Sequence, residues 1–380
     1  MIEFSKYIKE ESVAGNIISI VLGCLFKIIR IKMLLSGDTN SKVVIISLNK
    51  LGDTVFTIPA VKTIRSYYDE PPIIVCYAES KLVYQLVFDD LQYVILKNDD
   101  FYFNGRISKT INREIVNELR AGIIIDLTCS IKSASIIFNS TAKEIIGSND
   151  KYFSALYTKY IPARKLPNLV DKYLDIANKK CNAFHEIESN EYEDENNNDG
   201  YILIHPFAGW KAKEWGFNKF IEVTQRLSSN YKCKLIIPAK LFNEAMAEKL
   251  NTLRISYIIT YKLEKLIEAI KGCSAIIGND SGAIYIASIL GKATFTIYGP
   301  TNPSYSLPNG DRHAFVKKQI KCSPEVNKQY CNKDAGRRCS YFECMELLPV
   351  HEVMHKVDLF LSSVNVPRNV SNKLIVNIED

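Results

Sequence analysis

Three short polar segments hold the side chains best suited to chemistry. In Ile276-Ile277-Gly278-Asn279-Asp280-Ser281-Gly282-Ala283 an apolar run enters a glycine-bearing turn and then opens an apolar helical pattern. A helix starting there offers N–H groups and the positive end of its dipole to an anion, with the Ser281 hydroxyl as a further donor. The same residues also suit an ordinary Asx turn and N-cap. In Trp210-Lys211-Ala212-Lys213-Glu214-Trp215 a lysine follows a predicted strand, where it could neutralise phosphate charge or simply be solvated. In Leu51-Gly52-Asp53 the glycine permits a sharp turn. Asp53 would there be either the N-cap of the next helix or a general base taking a proton from an attacking hydroxyl.

Each of these segments must be carried to its place by a strand. Val43–Leu48, Tyr201–His205 and Ala275–Gly278 are short β-branched apolar runs, as buried parallel strands require. Further strands are predicted at Pro72–Tyr77, Tyr93–Lys97, Gly122–Leu127, Ala142–Gly147, Lys234–Pro238, Tyr257–Thr260 and Ala293–Tyr298. Helical patterns between them cover residues up to Tyr68, Ser80–Phe88, Ile107–Leu119, Phe217–Leu227, Asn243–Leu253, Leu263–Lys271 and Ala283–Leu290. Strands alternating with helices imply an α/β fold with parallel sheets. The stretch 186–199 is acidic, Asn-rich and nearly without apolar residues, and reads as a linker. The expected organisation is therefore an N-terminal helical extension (1–40), an N-terminal domain (41–185), the linker (186–199), a C-terminal domain (200–345), and a C-terminal helix and tail (346–380). Two doubly wound units would face a central cleft, where ligands of open α/β sheets bind.

Composition narrows the function classes. A hydrophobic fraction of 47% and a charged fraction of 24% over 380 residues are those of a soluble globular protein. The net charge of +6 is mild, and no basic run interleaved with aromatics suggests nucleic acid. The absence of G-x-G-x-x-G and of a Walker lysine motif disfavours a dinucleotide dehydrogenase or P-loop enzyme. No Asp-x-Asp pair occurs, which favours a metal-free grip on a diphosphate through Lys213 and helix N-terminal amides. No cofactor and no metal site is expected. Ten cysteines are present; Cys322, Cys331, Cys339 and Cys344, with His351 and His355 nearby, lack C-x-x-C spacing. They read as buried or loop-stabilising thiols, with a structural metal or disulfide as the alternative. Residues 12–35 are apolar but too short and interrupted to span a bilayer. They form either a helix packed on the first domain or an amphipathic helix at the inner face of the cytoplasmic membrane. The expected location is cytoplasmic.

Taken together, five blocks resemble glycosyltransferase family 9, the ADP-heptose:lipopolysaccharide heptosyltransferases. They are Leu51-Gly52-Asp53 with Thr57 and Pro59; Pro206 with Gly209 and Lys213-x-Trp215; Leu263 to Ala275; Asp280-Ser281-Gly282; and Tyr298-Gly299-Pro300-Thr301-Asn302-Pro303. The late cysteines ending Cys344-Met345 add to the likeness, which covers roughly residues 41–360. The resemblance implies a GT-B architecture and a metal-independent inverting transfer from an ADP-linked sugar to a lipid-linked saccharide of the lipopolysaccharide core. It implies that Asp53 is the base, that Lys213 contacts the donor diphosphate, and that Asp280, Ser281 and Gly282 hold sugar and diphosphate, with Gly52, Pro206, Gly209 and Tyr285 at the donor site. Leu235 to Lys240 resembles the region near the nucleotide base. Two positions depart from the family pattern: Tyr285 stands where a histidine is usual, and Gly216 where a proline is usual. Tyr285 opens two alternatives, a transferase for another surface glycan with a different nucleotide sugar and a non-catalytic nucleotide-sugar-binding protein.

Overall fold

The computed structural model describes residues 42–102, 105–108, 111, 115, 119–138, 140–149, 151–162, 164, 168–181 and 200–368. The predicted helix at 12–35, whether packed on the first domain or at a membrane surface, and the predicted linker at 186–199 lie outside them. The chain divides into two compact units, Met1–Glu188 and Ser189–Asp380.

The first unit is a six-stranded parallel sheet. Its strands are β1 (Val43–Ser47), β2 (Ile73–Tyr77), β3 (Gln92–Leu96), β4 (Ile123–Asp126), β5 (Glu144–Gly147) and β6 (Lys159–Tyr160), in the order β3-β2-β1-β4-β5-β6. Val44, Ile45 and Ile46 of β1 have no exposed surface, as a strand covered on both faces requires. The covering helices are α1 (Leu51–Tyr67), α2 (Ala78–Tyr84), α3 (Ile131–Ile137) and α4 (Leu169–Cys181). Ile111, Ile115 and Leu119 are helical, as their spacing predicts, but Ile107, where the predicted helix begins, instead pairs with Phe101 in an antiparallel bridge; residues 109, 110, 112–114 and 116–118 are outside the described residues. The sequence pattern did not reveal α3, β6 or α4. The signal for α3 was Ser130, whose hydroxyl accepts from Lys132 N, with Ser133 returning a bond to Ser130 N.

The second unit repeats the architecture. Strands β7 (Tyr201–His205), β8 (Cys233–Pro238), β9 (Tyr257–Thr260), β10 (Cys273–Asn279), β11 (Ala293–Tyr298) and β12 (His313–Lys317) run parallel in the order β12-β11-β10-β7-β8-β9. The helices are α5 (Phe217–Ser228), α6 (Glu244–Thr252), α7 (Leu263–Lys271), α8 (Gly282–Ile289), the single turns α9 (Pro303–Ser306) and α10 (Glu343–Glu346), and α11 (Val350–Ser363). Helix α11 returns to the same core. It buries Val353, Val357, Phe360 and Leu361 among Trp215, Phe220 and Phe295, with the Phe295 and Phe360 ring centroids 5.6 Å apart. Among the described residues no helix is long and apolar enough to cross a membrane.

Both sheets are doubly wound. In each, the strand order reverses between the first and fourth strands, β1/β4 and β7/β10. Loops at the carboxyl ends of such strands diverge and leave a crevice for ligand. Asp53 follows β1, Lys213 follows β7 and Asp280 follows β10. The residues singled out from the sequence therefore sit at the switch points.

Candidate functional site

In the second unit the loop after β7 and the turn after β10 are tied together by one side chain. Asn279, fully buried, accepts from the Trp215 backbone N–H (3.1 Å) and donates to the Pro206 carbonyl (2.7 Å). It thus clamps both ends of the loop that carries Lys213. Its amide is spent across the loop and not on a local Asx turn. The loop is closed below by Trp215, whose indole is fully buried and donates to the Leu348 carbonyl (2.9 Å). It ends at Gly216, the residue before α5, with φ of 116°. That conformation favours glycine, and a proline, locked near −65°, does not fit it. The departure from the family pattern at this position is thus a backbone requirement.

The clamp brings Lys213 and Asp280 into direct contact. Lys213 Nζ donates to Asp280 Oδ2 at 2.5 Å, with side-chain exposures of 12% and 2%. Thr301 donates to the same carboxylate (2.6 Å), and the Tyr285 hydroxyl donates to its other oxygen. These three donors compensate the hydration that the buried Asp280 side chain loses. The resemblance implies that Asp280, with Ser281 and Gly282, holds sugar and diphosphate; in this structure its carboxylate contacts Lys213, Thr301 and Tyr285. Burial beside Asp280 pushes the Tyr285 phenol well above its ordinary range, so it stays a hydrogen-bond donor. Lys213 Nζ also lies 4.1 Å from the centroid of the Trp210 ring.

Ser281 is the residue before α8 and makes no side-chain capping bond. Its hydroxyl instead faces His205 Nδ1 at 3.4 Å. Burial lowers the His205 pKa to about 4, so the imidazole is neutral at pH 7. The first turn of α8, beginning at Gly282, is thus uncapped by Ser281 and carries the positive end of the helix dipole toward the Lys213 side, the arrangement that binds anions. Gly278 is needed just before it: a Cβ there would stand 2.7 Å from the His205 carbonyl oxygen on β7. Gly209 lies exposed in the β7 loop with open space around it, and Pro206 is buried with its carbonyl on Asn279.

Thr301, Asn279, His205 and Trp210 were not marked as site residues from sequence. The turn Tyr298–Pro303 is one of the family-like blocks in the sequence; what it does is visible once β11 lies beside β10. Asn302 caps α9 through Ser304 N (3.1 Å), while its amide nitrogen donates to the Glu325, Val326 and Lys328 carbonyls. This fixes the cysteine-bearing segment against the turn. Cys322, Cys331, Cys339 and Cys344 line one cavity with Ala212, Gly299 and Pro300. Burial pushes the Cys344 thiol up to about 11, and its cysteine neighbours push in the same direction. All four are unpaired thiols, and among the described residues no group of three or more His, Cys, Asp or Glu is arranged to hold a metal ion. His351 and His355 are exposed on α11.

In the first unit, Asp53 is exposed in the first turn of α1. The capping reading of Asp53 and the turn expected at Gly52 do not hold. The residue before the helix is Lys50, so Asp53 is not its N-cap, and Gly52 lies within the helix without a positive φ. The helix starts at once because Thr54 N–H bonds the Lys50 carbonyl (2.9 Å). The β1–α1 junction rests on buried hydroxyls. Tyr84 donates to Ser47 (2.7 Å) and meets Thr57 (2.6 Å); Ser80 donates to the Asn49 carbonyl (3.1 Å) and meets Thr54 (2.9 Å). Beside it, at the end of β4, Asp126 is fully buried and accepts from Ser133, Tyr157 and the Thr128 and Cys129 amides. This network fixes the place from which Asp53 projects.

Comparison with known proteins follows the same lines. The profile of glycosyltransferase family 9 (heptosyltransferase) matches residues 112–335. Lipooligosaccharide heptosyltransferase 2 of Haemophilus influenzae is 26% identical over 113 residues, which is 28% of this chain and 33% of that protein. The matched stretch thus spans a third of that relative's length. Among solved structures, a glycosyl transferase family 9 protein from Veillonella parvula superposes with a TM-score of 0.67 at 17% identity, covering 86% of this chain and 99% of that one. An E. coli heptosyltransferase solved with ADP-2-deoxy-2-fluoro heptose gives 0.63 at 14% identity, covering 84% and 99%. At such identities the likeness is one of fold, the GT-B fold of heptosyltransferases, and the profile match carries the assignment: the chain belongs to glycosyltransferase family 9.

Proposed function

We propose that the protein is a metal-independent, inverting glycosyltransferase that moves a sugar, heptose by default, from an ADP-sugar to a lipopolysaccharide-core or other lipid-linked saccharide. The observation that carries this reading is the Lys213–Asp280 pair beside the uncapped start of α8, at the switch point of the second sheet. An ammonium paired with the residue just ahead of a helix N-terminus suits a diphosphate, and such groups act most strongly as charge grows on it.

The reaction follows from these parts. The Asp53 carboxylate accepts the proton of the acceptor hydroxyl. The hydroxyl oxygen forms a bond to the anomeric carbon from the face opposite the diphosphate. The bond between that carbon and the phosphate oxygen breaks, and its electron pair leaves on the nucleoside diphosphate, inverting the configuration. Lys213 and the first-turn amides of α8 stabilise the leaving charge, while Asp280, Thr301 and Tyr285 hold Lys213 in place. Asp53 lies outside the span matched by the family profile, so its role rests on its place after β1 and on the motif. In single-turnover assays with ADP-heptose, Asp53→Asn should slow transfer about 100-fold or more, the usual worth of a general base, with donor affinity unchanged. Unchanged transfer would remove Asp53 from the role.

Tyr285 supports a second reading, in which the donor carries another sugar or base, or in which donor binding persists without turnover. Its phenol occupies one oxygen of Asp280. Donor binding without transfer to any of a panel of saccharide acceptors would favour the non-catalytic form.

A further inference from the structure

One exposed aromatic side chain stands beside Lys213 in the proposed donor site. Trp210 is 39% exposed, while the chain's other tryptophan, Trp215, is fully buried in the core. Tyr330, 40% exposed, lies beside it, with ring centroids 6.5 Å apart and planes at 59°. Two large rings left partly in water forfeit stabilisation that burial would give. They are nevertheless held firmly. Tyr330 pairs with Thr301 in an antiparallel bridge, flanked by Cys331 N–H on the Pro300 carbonyl (2.8 Å) and Asn302 N–H on the Gln329 carbonyl (3.0 Å). Trp210 is held by Lys213, whose ammonium lies over its ring.

We propose that Trp210, backed by Tyr330, is the surface on which the sugar ring of the donor rests, and that it sets the preference for a nucleoside diphosphate sugar over the nucleoside diphosphate alone. The inference rests on the nucleotide-sugar reading above and names the residue that reads the sugar. Its argument is one of position and chemistry. Lys213 touches both the indole and Asp280, so whatever is bonded to a phosphate at Lys213 lies within a few ångströms of Trp210. The bridge to Thr301 puts the aromatic pair on the β11 side of the switch point, away from the β8 and β9 loops. A nucleoside diphosphate sugar carries a ring system at each end of its diphosphate, and one of them must lie on this side. The rim of Trp210 is polar: Lys211 and Glu214 pair at 2.8 Å, and Lys213 and Asp280 follow. A purine asks for apolar cover on both faces, whereas a sugar offers C–H groups to an aromatic face and hydroxyls to a polar rim.

Calorimetric titration of the full chain with ADP and with ADP-heptose tests this, on the wild type, Trp210→Ala and Trp210→Phe. The readout is the ratio of the two dissociation constants. Trp210→Ala should lower the preference for the sugar-bearing ligand about 10-fold, the size of one good aromatic contact, and Trp210→Phe should retain most of it. Indole emission of the wild type should shift to the blue with ADP-heptose and not with ADP, and the shift should vanish in Trp210→Phe. A ratio unchanged in Trp210→Ala, with both ligands weakened together, would mean that Trp210 only holds Lys213, and would overturn the proposal. A blue shift with ADP alone would put the base on the ring and overturn it as well. Failure of ADP-heptose to bind the wild type would overturn the nucleotide-sugar reading itself, and this inference with it.

Discussion

Replacing Asp280 by Asn keeps the shape of the side chain and removes the charge beside Lys213. The consequence can be worked out from the contacts. Lys213 is 12% exposed, so its ammonium stays largely out of water after its partner is gone. Removing one member of a buried pair costs about 3–5 kcal/mol, chiefly the price of the orphaned charge. The contact with the Trp210 face at 4.1 Å is present in the wild type too and cancels in the difference, while the remaining exposure of Lys213 puts Asp280→Asn near the lower end, about 3 kcal/mol. Lys213→Met is milder, at about 2 kcal/mol, because Asp280 keeps two hydroxyl donors, Thr301 and Tyr285. The double variant buries neither charge alone. It should cost about 2 kcal/mol, leaving a coupling of about 3 kcal/mol between the two sites. Urea unfolding followed by tryptophan emission measures this cleanly. Both tryptophans are in the second unit, so the signal reports that unit's transition. Additive single effects, within about 0.5 kcal/mol, would refute the claim that the two charges depend on each other.

Other consequences follow the same logic. His205 is held neutral by burial, with a pKa of about 4 against an unfolded value of 6.5. The unfolded chain therefore binds the extra proton first as pH falls. Stability is full above pH 6.5 and declines between 6.5 and 4, by up to about 3 kcal/mol from this group, and the decline should flatten in His205→Gln when the two pH–stability curves are compared. Gly278→Ala presses a Cβ on the backbone of β7, 2.7 Å from the His205 carbonyl, and should cost about 2–3 kcal/mol. Gly299→Ala meets instead the far end of the Met345 side chain at 2.6 Å, which can move, and should cost about 1 kcal/mol or less in the same urea assay.

The sheets were legible in the sequence because their strands are buried on both faces and so appear as unbroken apolar runs, as in Ile202-Leu203-Ile204 and Ala275-Ile276-Ile277, all without exposed surface. Elements whose pattern makes sense only beside a partner were not. Helix α4 buries Tyr173, Ile176 and Ala177, and the two-residue strand β6 has too little pattern to read. The site shows the same division. The types and places of Lys213 and Asp280 were apparent at strand ends. Their ion pair was not, because it depends on β7 and β10 lying side by side. Nor was the duty of Thr301, which reads as a turn residue until β11 sets it on the Asp280 carboxylate. Asn279 belongs to the motif that first drew attention, yet its work is to span a loop distant in sequence.

The central claim is that Lys213, Asp280 and the start of α8 form a site for an ADP-linked sugar. Thermal unfolding of the protein with ADP-, UDP-, GDP- and CDP-linked sugars tests it most directly. At 100 times its dissociation constant a ligand adds about 2.7 kcal/mol, which raises Tm by roughly 5–10 °C for a unit of this size. The account predicts that rise with the ADP-linked sugar in the wild type, and its loss in Lys213→Met. No rise with any of the four, or an equal rise in Lys213→Met, would contradict it.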